Sequence, residues 1–134
     1  MKSVFSDVKE FMSHADQVVQ EGVVANPTPE SFRRYETHLL LISEELKELM
    51  VEVDPIHHDS APNYANVAKE AIDLIYVIIG LLHAMGIDGA AVWDIIQKSN
   101  MKKVEGGIKK NKDGKVLKPD GWKKPDIRSA VYGK

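Results

Sequence analysis

Lys69 to Gly80 reads KEAIDLIYVIIG. Almost every position is apolar, which suits a helix covered on most of its sides. Asp73 breaks that pattern. An isolated buried carboxylate is costly, so it becomes neutral, finds a partner or binds a metal. The surrounding sequence decides between these outcomes.

The stretch belongs to the third of four expected helices, from Pro62 or Asn63 to Met85, with Gly86 as its C-cap. Its segment 71–82 is apolar nearly all round and is expected to be the central, most buried helix. Upstream, DPIHHDSAPN separates it from a long second helix, about Pro29 to Val53. His57 and His58 fall in that break and read as exposed loop residues. Thr28 and Pro29 are the N-cap and first residue of the second helix. Its apolar positions include Phe32, Tyr35, Leu39, Leu40, Ile42, Leu46, Leu49 and Met50.

A first helix is expected from about Ser3 to Glu21. Val4, Phe5, Val8, Phe11, Met12, Ala15, Val18 and Val19 give it a helical stripe. EGVVANPTP then breaks it. Downstream, Asp88 caps a fourth helix, about Gly89 to Lys103, with Val92, Trp93, Ile95 and Ile96 facing inward. Beyond Glu105 the chain is rich in Gly, Pro and Lys. There KDGK signals a tight turn, flanked by Ile108 and by Val116-Leu117, as in a short β-hairpin. The expectation is an all-α fold of one domain, 1–134. It has a four-helix-bundle-like core over about 3–104 and a basic C-terminal arm or short hairpin over about 105–134. Short connections favour antiparallel neighbours.

The 134 residues are 43% hydrophobic and 28% charged, enough for a core and a solvated surface. There is no cysteine, which excludes disulfides, thiolate zinc sites and cysteine nucleophiles. The N-terminal MKSVFSDVKEF carries charges where a signal peptide needs an apolar run. The longest apolar run, Leu74 to Leu82, is too short to span a bilayer. A cytoplasmic protein without a membrane segment is expected. The net charge of −2 hides a division. Residues 1–97 carry 6 Lys and Arg against 16 Asp and Glu, a net −10, whereas 98–134 carry 12 against 4, a net +8. A basic tail attracts phosphate or nucleic acid, or neutralises an acidic body of its own or a neighbouring subunit.

The acidic residues answer the question that Asp73 raises. In SEELKEL, Glu45 and Glu48 are three apart and share a helix face, with Glu44 beside them and Glu52 a turn later. In KEAID, Glu70 and Asp73 are also three apart. Glu48 precedes the break at residue 55 by about as much as Glu70 follows Pro62. An antiparallel pairing of the two helices therefore brings the acidic pairs to one depth. Carboxylates pressed together repel and raise one another's pKa values. A hard divalent cation relieves that repulsion, and Mg2+ or Mn2+ prefers oxygen ligands. The alternatives are an ordinary solvated face for EELKEL and an Asp73 paired with Lys69 or a tyrosine hydroxyl. A di-iron carboxylate bundle would need Glu-x-x-His on two helices, and the chain has none.

The pattern Glu44-Glu45-x-x-Glu48 followed by Glu70-x-x-Asp73 resembles the EExxE and ExxD motifs of the all-α NTP pyrophosphatase superfamily. That superfamily includes MazG-like proteins, dimeric dUTPases and phosphoribosyl-ATP pyrophosphohydrolases. SNMKKV, with Asn100 and Lys103, resembles the family's Asn-x-x-Lys segment. DGKVLKPDGWKKPDI resembles the C-terminal segment of phosphoribosyl-ATP pyrophosphohydrolase-like proteins. The likeness covers roughly residues 30–127.

The resemblance implies Mg2+-dependent hydrolysis of a nucleoside triphosphate between its α- and β-phosphates, giving a monophosphate and pyrophosphate. It implies Glu45, Glu48, Glu70 and Asp73 as metal ligands, and Glu44 as a further acid or the base for the attacking water. Asn100, Lys103, Lys110, Lys115 and Lys118 would contact phosphate oxygens. It also implies a homo-oligomer, dimer or tetramer, with a nucleotide substrate. The chemistry agrees: polyphosphate hydrolysis needs charge neutralisation and a positioned water. A phosphoribosyl-ATP hydrolase is the alternative within this class. A non-catalytic helical module binding nucleic acid or a protein through its basic tail is the alternative outside it. No recognition helix or aromatic single-strand platform favours nucleic acid. Trp93 reads as core. Trp122 reads either as a stacking surface for a base or as a subunit contact, and His14 and Gln17 as residues in reach of a nucleobase.

Overall fold

A computed structural model describes residues 3–54, 61–105 and 107–133 of the chain. His57 and His58 lie outside the described residues. The chain divides into two compact units, residues 1–87 and 88–134. All the regular elements among the described residues are helices, as the sequence leads one to expect.

The first unit holds α1 (Val4–His14), α2 (Pro29–Val53) and α3 (Tyr64–Met85). Each N-terminus is closed by a side chain that accepts a backbone N–H: Ser3 from Ser6, Thr28 from Ser31 and Asn63 from Asn66, all at 3.1 Å. Pro29 occupies the first turn of α2, where its missing N–H costs nothing. α3 ends at Gly86, whose φ of +74° is left-handed. A Cβ there would meet the Gly22 backbone at 2.3 Å, so glycine is required both for conformation and for space.

α1 is shorter than its apolar periodicity predicts. Asp16 adopts a left-handed φ of 56°. The N–H groups of Ala15 and Gln17 donate to Phe11 O and Met12 O, each at 2.9 Å, closing a Schellman-type end. The following segment instead crosses onto α3. Gln20 N–H donates to His83 O at 3.0 Å, and Tyr35 Oη donates to Gln20 Oε1 at 2.7 Å. Val19 still packs on the core, from a strap rather than a helix.

α2 and α3 are antiparallel. Glu45 lies beside Glu70 and Asp73, while a Cβ on Gly80 would lie 3.5 Å from His38 Nδ1, so numbers rise along one helix as they fall along the other. α1 also runs against α3. Phe11 and Tyr76 meet edge to face at 5.6 Å, and His83 Nε2 bonds to Phe5 O at 2.8 Å. Val8, Met12 and Ile79 form the buried centre, with Phe5, Val19 and Tyr76 around it.

α3 packs against both α1 and α2, but its apolar surface is not covered all round. Ile79, Gly80 and Ala84 are buried, but Ile72, Ile75 and Ile78 are 60%, 49% and 41% exposed. α1 and α2 cover the other faces and leave this apolar stripe open. α2 leaves Leu39, Leu40 and Met50 exposed too.

The second unit holds α4 (Gly89–Val104) and α5 (Arg128–Tyr132). Asp88 caps α4 through Ala91 N–H at 3.1 Å. Gly89 and Ser99 lie on its covered face. Trp93, expected inside, is 61% exposed, and Ile96 is 37% exposed. The chain reverses at KDGK with a single antiparallel bridge, Lys110 to Val116. Asn111 Oδ1 accepts the N–H groups of Asp113 and Lys115 at 2.9 Å, and Gly114 takes φ 85°. α5 replaces part of the expected extended arm. It follows Asp126, which accepts Arg128 N–H at 3.0 Å and binds its guanidinium at 3.0 and 2.7 Å.

Candidate active site

The acidic pairs of α2 and α3 meet. Glu45, Glu70 and Asp73 each offer a carboxylate oxygen, and these oxygens lie within 4.8 Å of one another. The helix periodicity explains the convergence. Glu70 and Asp73 are one turn apart on α3, and Glu45 projects from the facing turn of α2. Glu48 adjoins the same group. Its pKa is pushed up to about 7, first by sharing its proton with Glu70 and then by the negative charge of Glu45. Glu44 is exposed on α2, outside the converging three.

Two oxygens in this cup are orphaned. Glu45 Oε2 and Glu70 Oε2 are buried and have no hydrogen-bond donor. Orphaned buried carboxylate oxygens are costly, and the cup offers them two forms of relief: a proton on Glu48, or a cation. An all-oxygen donor set spaced this closely fits a hard divalent ion.

Asp73 is less buried than its apolar neighbours imply, with 37% of its side chain exposed. Lys69, one turn earlier, places Nζ 2.8 Å from Asp73 Oδ2 and 3.4 Å from Glu70 Oε1. The Asp73 carboxylate, with Glu70 beside it, raises the Lys69 pKa above its ordinary value. Asp73 is thus both partnered and part of an acidic cup.

The residues expected to contact phosphate lie in the second unit. Asn100 and Lys103 on α4 line a cavity of about 750 Å³, with Trp122, Lys124 and Arg128 among its walls. Lys103 and Lys118 hold their ammonium groups 5.0 and 4.9 Å from the Trp122 ring centre. Both are cation–π contacts. Lys110 and Lys115 instead lie in the hairpin, exposed and outside that cavity. Lys124 and Arg128 were not among the expected residues. Their signal was available only as part of a basic run, WKKPDIR, that nothing in the sequence ranks. Within the first unit, burial lowers the pKa of His38, which faces Gly80 rather than the acidic cup.

An all-helical chain whose antiparallel helices hold a carboxylate cup falls in the class of all-α, MazG-like nucleotide pyrophosphatases, hydrolases that act on acid anhydrides. The chain belongs to the phosphoribosyl-ATP pyrophosphohydrolase (PRA-PH) family, whose model matches residues 8–100. That span includes every acidic residue of the cup and most of α1. It ends at Asn100, so Lys103 and the basic tail lie beyond it. No individual curated protein matched the chain. Among the described residues, no single helix is long and apolar enough to cross a membrane.

Proposed function

We propose that the protein is a Mg2+-dependent nucleoside triphosphate pyrophosphohydrolase that cleaves between the α- and β-phosphates, releasing a monophosphate and pyrophosphate. The observation that carries this reading is the convergence of Glu45, Glu70 and Asp73 within 4.8 Å, with buried oxygens lacking donors. Glu45, Glu70 and Asp73, with Glu48, would hold the ion; Mn2+ suits the same donors. When bound, it neutralises phosphate charge and lowers the cost of forming hydroxide from water.

The remaining work falls to the chain's own groups. Glu44, exposed beside Glu45, accepts the proton of the attacking water. Asn100 and Lys103, with Lys110, Lys115 and Lys118, take phosphate charge that would otherwise build up as the anhydride bond breaks. Residues 1–134 then act as one catalytic domain.

The family match favours a second substrate, phosphoribosyl-ATP, hydrolysed at the same kind of bond. A nucleotide panel with Mg2+ or Mn2+, scored for pyrophosphate and monophosphate, separates the two. Asp73→Asn and Glu48→Gln should each abolish release. Turnover retained in both variants removes the assignment. The exposed Ile72, Ile75 and Ile78 stripe, with Leu39, Leu40 and Met50 on α2, supports a homo-oligomer, dimer or tetramer; the nucleotide substrate fits a cytoplasmic enzyme. Light scattering of the purified chain reads the subunit number directly.

A further inference from the structure

Lys69 is the one cation at the acidic cup among the described ion pairs there. Its Nζ touches two of the three carboxylates that converge, at 2.8 Å and 3.4 Å. A solvated lysine, 67% exposed in its side chain, gains little from a surface ion pair alone. Here it bonds to Glu70, 14% exposed, one of whose oxygens has no donor. The ammonium therefore screens a cup that otherwise holds only negative charge.

We propose that Lys69 is a resident counter-ion that occupies the electrostatic place of the divalent ion and sets the affinity of the cup for it. This inference rests on the metal-dependent reading above and adds a residue to it. A metal ion held by Asp73 at about 2.1 Å would lie within about 5 Å of an ammonium still bonded to that carboxylate. At that distance a single charge facing a double charge costs about tenfold in binding even in a water-like dielectric. Entry of the ion therefore pushes Lys69 off Asp73, and its flexible stem lets it swing into solvent. The lysine keeps the cup assembled without metal at the expense of affinity when metal arrives.

The test is a Mn2+ titration of the full chain, with free Mn2+ read by electron paramagnetic resonance. Lys69→Met, neutral and of similar length, should bind about three- to tenfold more tightly than wild type, the upper end being the full repulsion and the lower end the loss of the ion pair alone. Lys69→Arg, which keeps the charge, should stay within about twofold of wild type. Unchanged or weaker binding by Lys69→Met, with wild-type circular dichroism and melting, overturns the proposal. A wild-type chain that binds no Mn2+ at all overturns the metal reading itself and this proposal with it. A second measurement needs no variant: the Lys69 side-chain NMR signal should shift when Mg2+ saturates the wild-type chain. Saturation without that shift also overturns the proposal.

Discussion

The two compact units differ in charge and in what they do with it. Residues 1–87 carry six Lys and Arg against fourteen Asp and Glu, a net −8; residues 88–134 carry twelve against six, a net +6. In the first, two long helices force like charges together, and the repulsion is met by Lys69 and by a raised Glu48 pKa. In the second, the cations are dispersed over the last turns of α4, a hairpin, a loop and a short helix, and two of them lean on a single indole. One unit concentrates charge on a rigid scaffold. The other spreads it over the end of one helix and a long run of irregular chain. On the proposed roles, the groups that would hold a metal sit on the long helices, which suits the close placement that chemistry demands.

That contrast is broken most directly at the cup. Asp73→Asn or Glu45→Gln should lower pyrophosphate release by about a thousandfold or more, because either removes one of the converging carboxylates proposed to hold the metal. Loss of the like charge should leave melting unchanged or raised. Lys103→Ala, in the other unit, should cost about tenfold, mostly in KM, since one of several charge-assisted contacts goes. Steady-state kinetics on the best panel substrate make the comparison. Equal losses at Asp73, Glu45 and Lys103 would mean that the two sets of residues do not differ in role.

Stability sharpens the comparison next. The centre of the first unit is small: Val8, Met12 and Ile79 are its buried hydrophobic cluster. Met12 is 1% exposed. Met12→Ala should therefore destabilise this unit by about 2–5 kcal/mol, read by urea unfolding. Trp93→Ala, at a position 61% exposed, should change stability by less than about 0.5 kcal/mol in the chain alone. A large loss at Trp93 would mean that a partner surface covers it.

The basic unit offers a finer test. Each cation–π contact on Trp122 is worth about 0.5–1 kcal/mol at an exposed site. Trp122→Leu should free Lys103 and Lys118 from a common anchor and raise KM severalfold, with kcat little changed. Unaltered KM would show that the indole does not position these lysines for substrate.

How much of this was legible in the sequence varies with the physics behind each element. Thr28-Pro29 and Gly86 marked helix ends because capping and left-handed φ depend on one or two residues. The acidic cup was legible because i, i+3 spacing fixes a face and two comparable depths fix a meeting point. The end of α1 was not. Val18 and Val19 keep the helical period, and only the turn at Asp16 and the bond from Gln20 to His83 redirect them. The exposure of Ile72, Ile75 and Ile78 was also hidden, because periodicity reports what a helix can bury and not how many neighbours its own chain supplies. Lys124 and Arg128 came to the Asn100 cavity through irregular chain over 122–127 and the contact of Arg128 with Asp126, which no periodic pattern encodes.

The smallest expected effect is a pH dependence confined to the acidic unit. In the folded chain Glu48 has a pKa of about 7, against an ordinary value of 4.5. Between those values the folded state holds a proton that the unfolded state has released, so stability falls as pH rises through this window. Without metal, the melting temperature of wild type should decline from pH 5 to pH 8 more than that of Glu48→Gln, which cannot ionise there. A divalent ion removes the difference at its source, because it competes with that proton for the same carboxylates. Calorimetry of both chains, with and without Mg2+, should show the wild-type slope flatten only when the ion is present. Parallel slopes in the two metal-free chains would show that the proton on Glu48 does not hold the cup together. The repulsion would then be relieved by Lys69 alone.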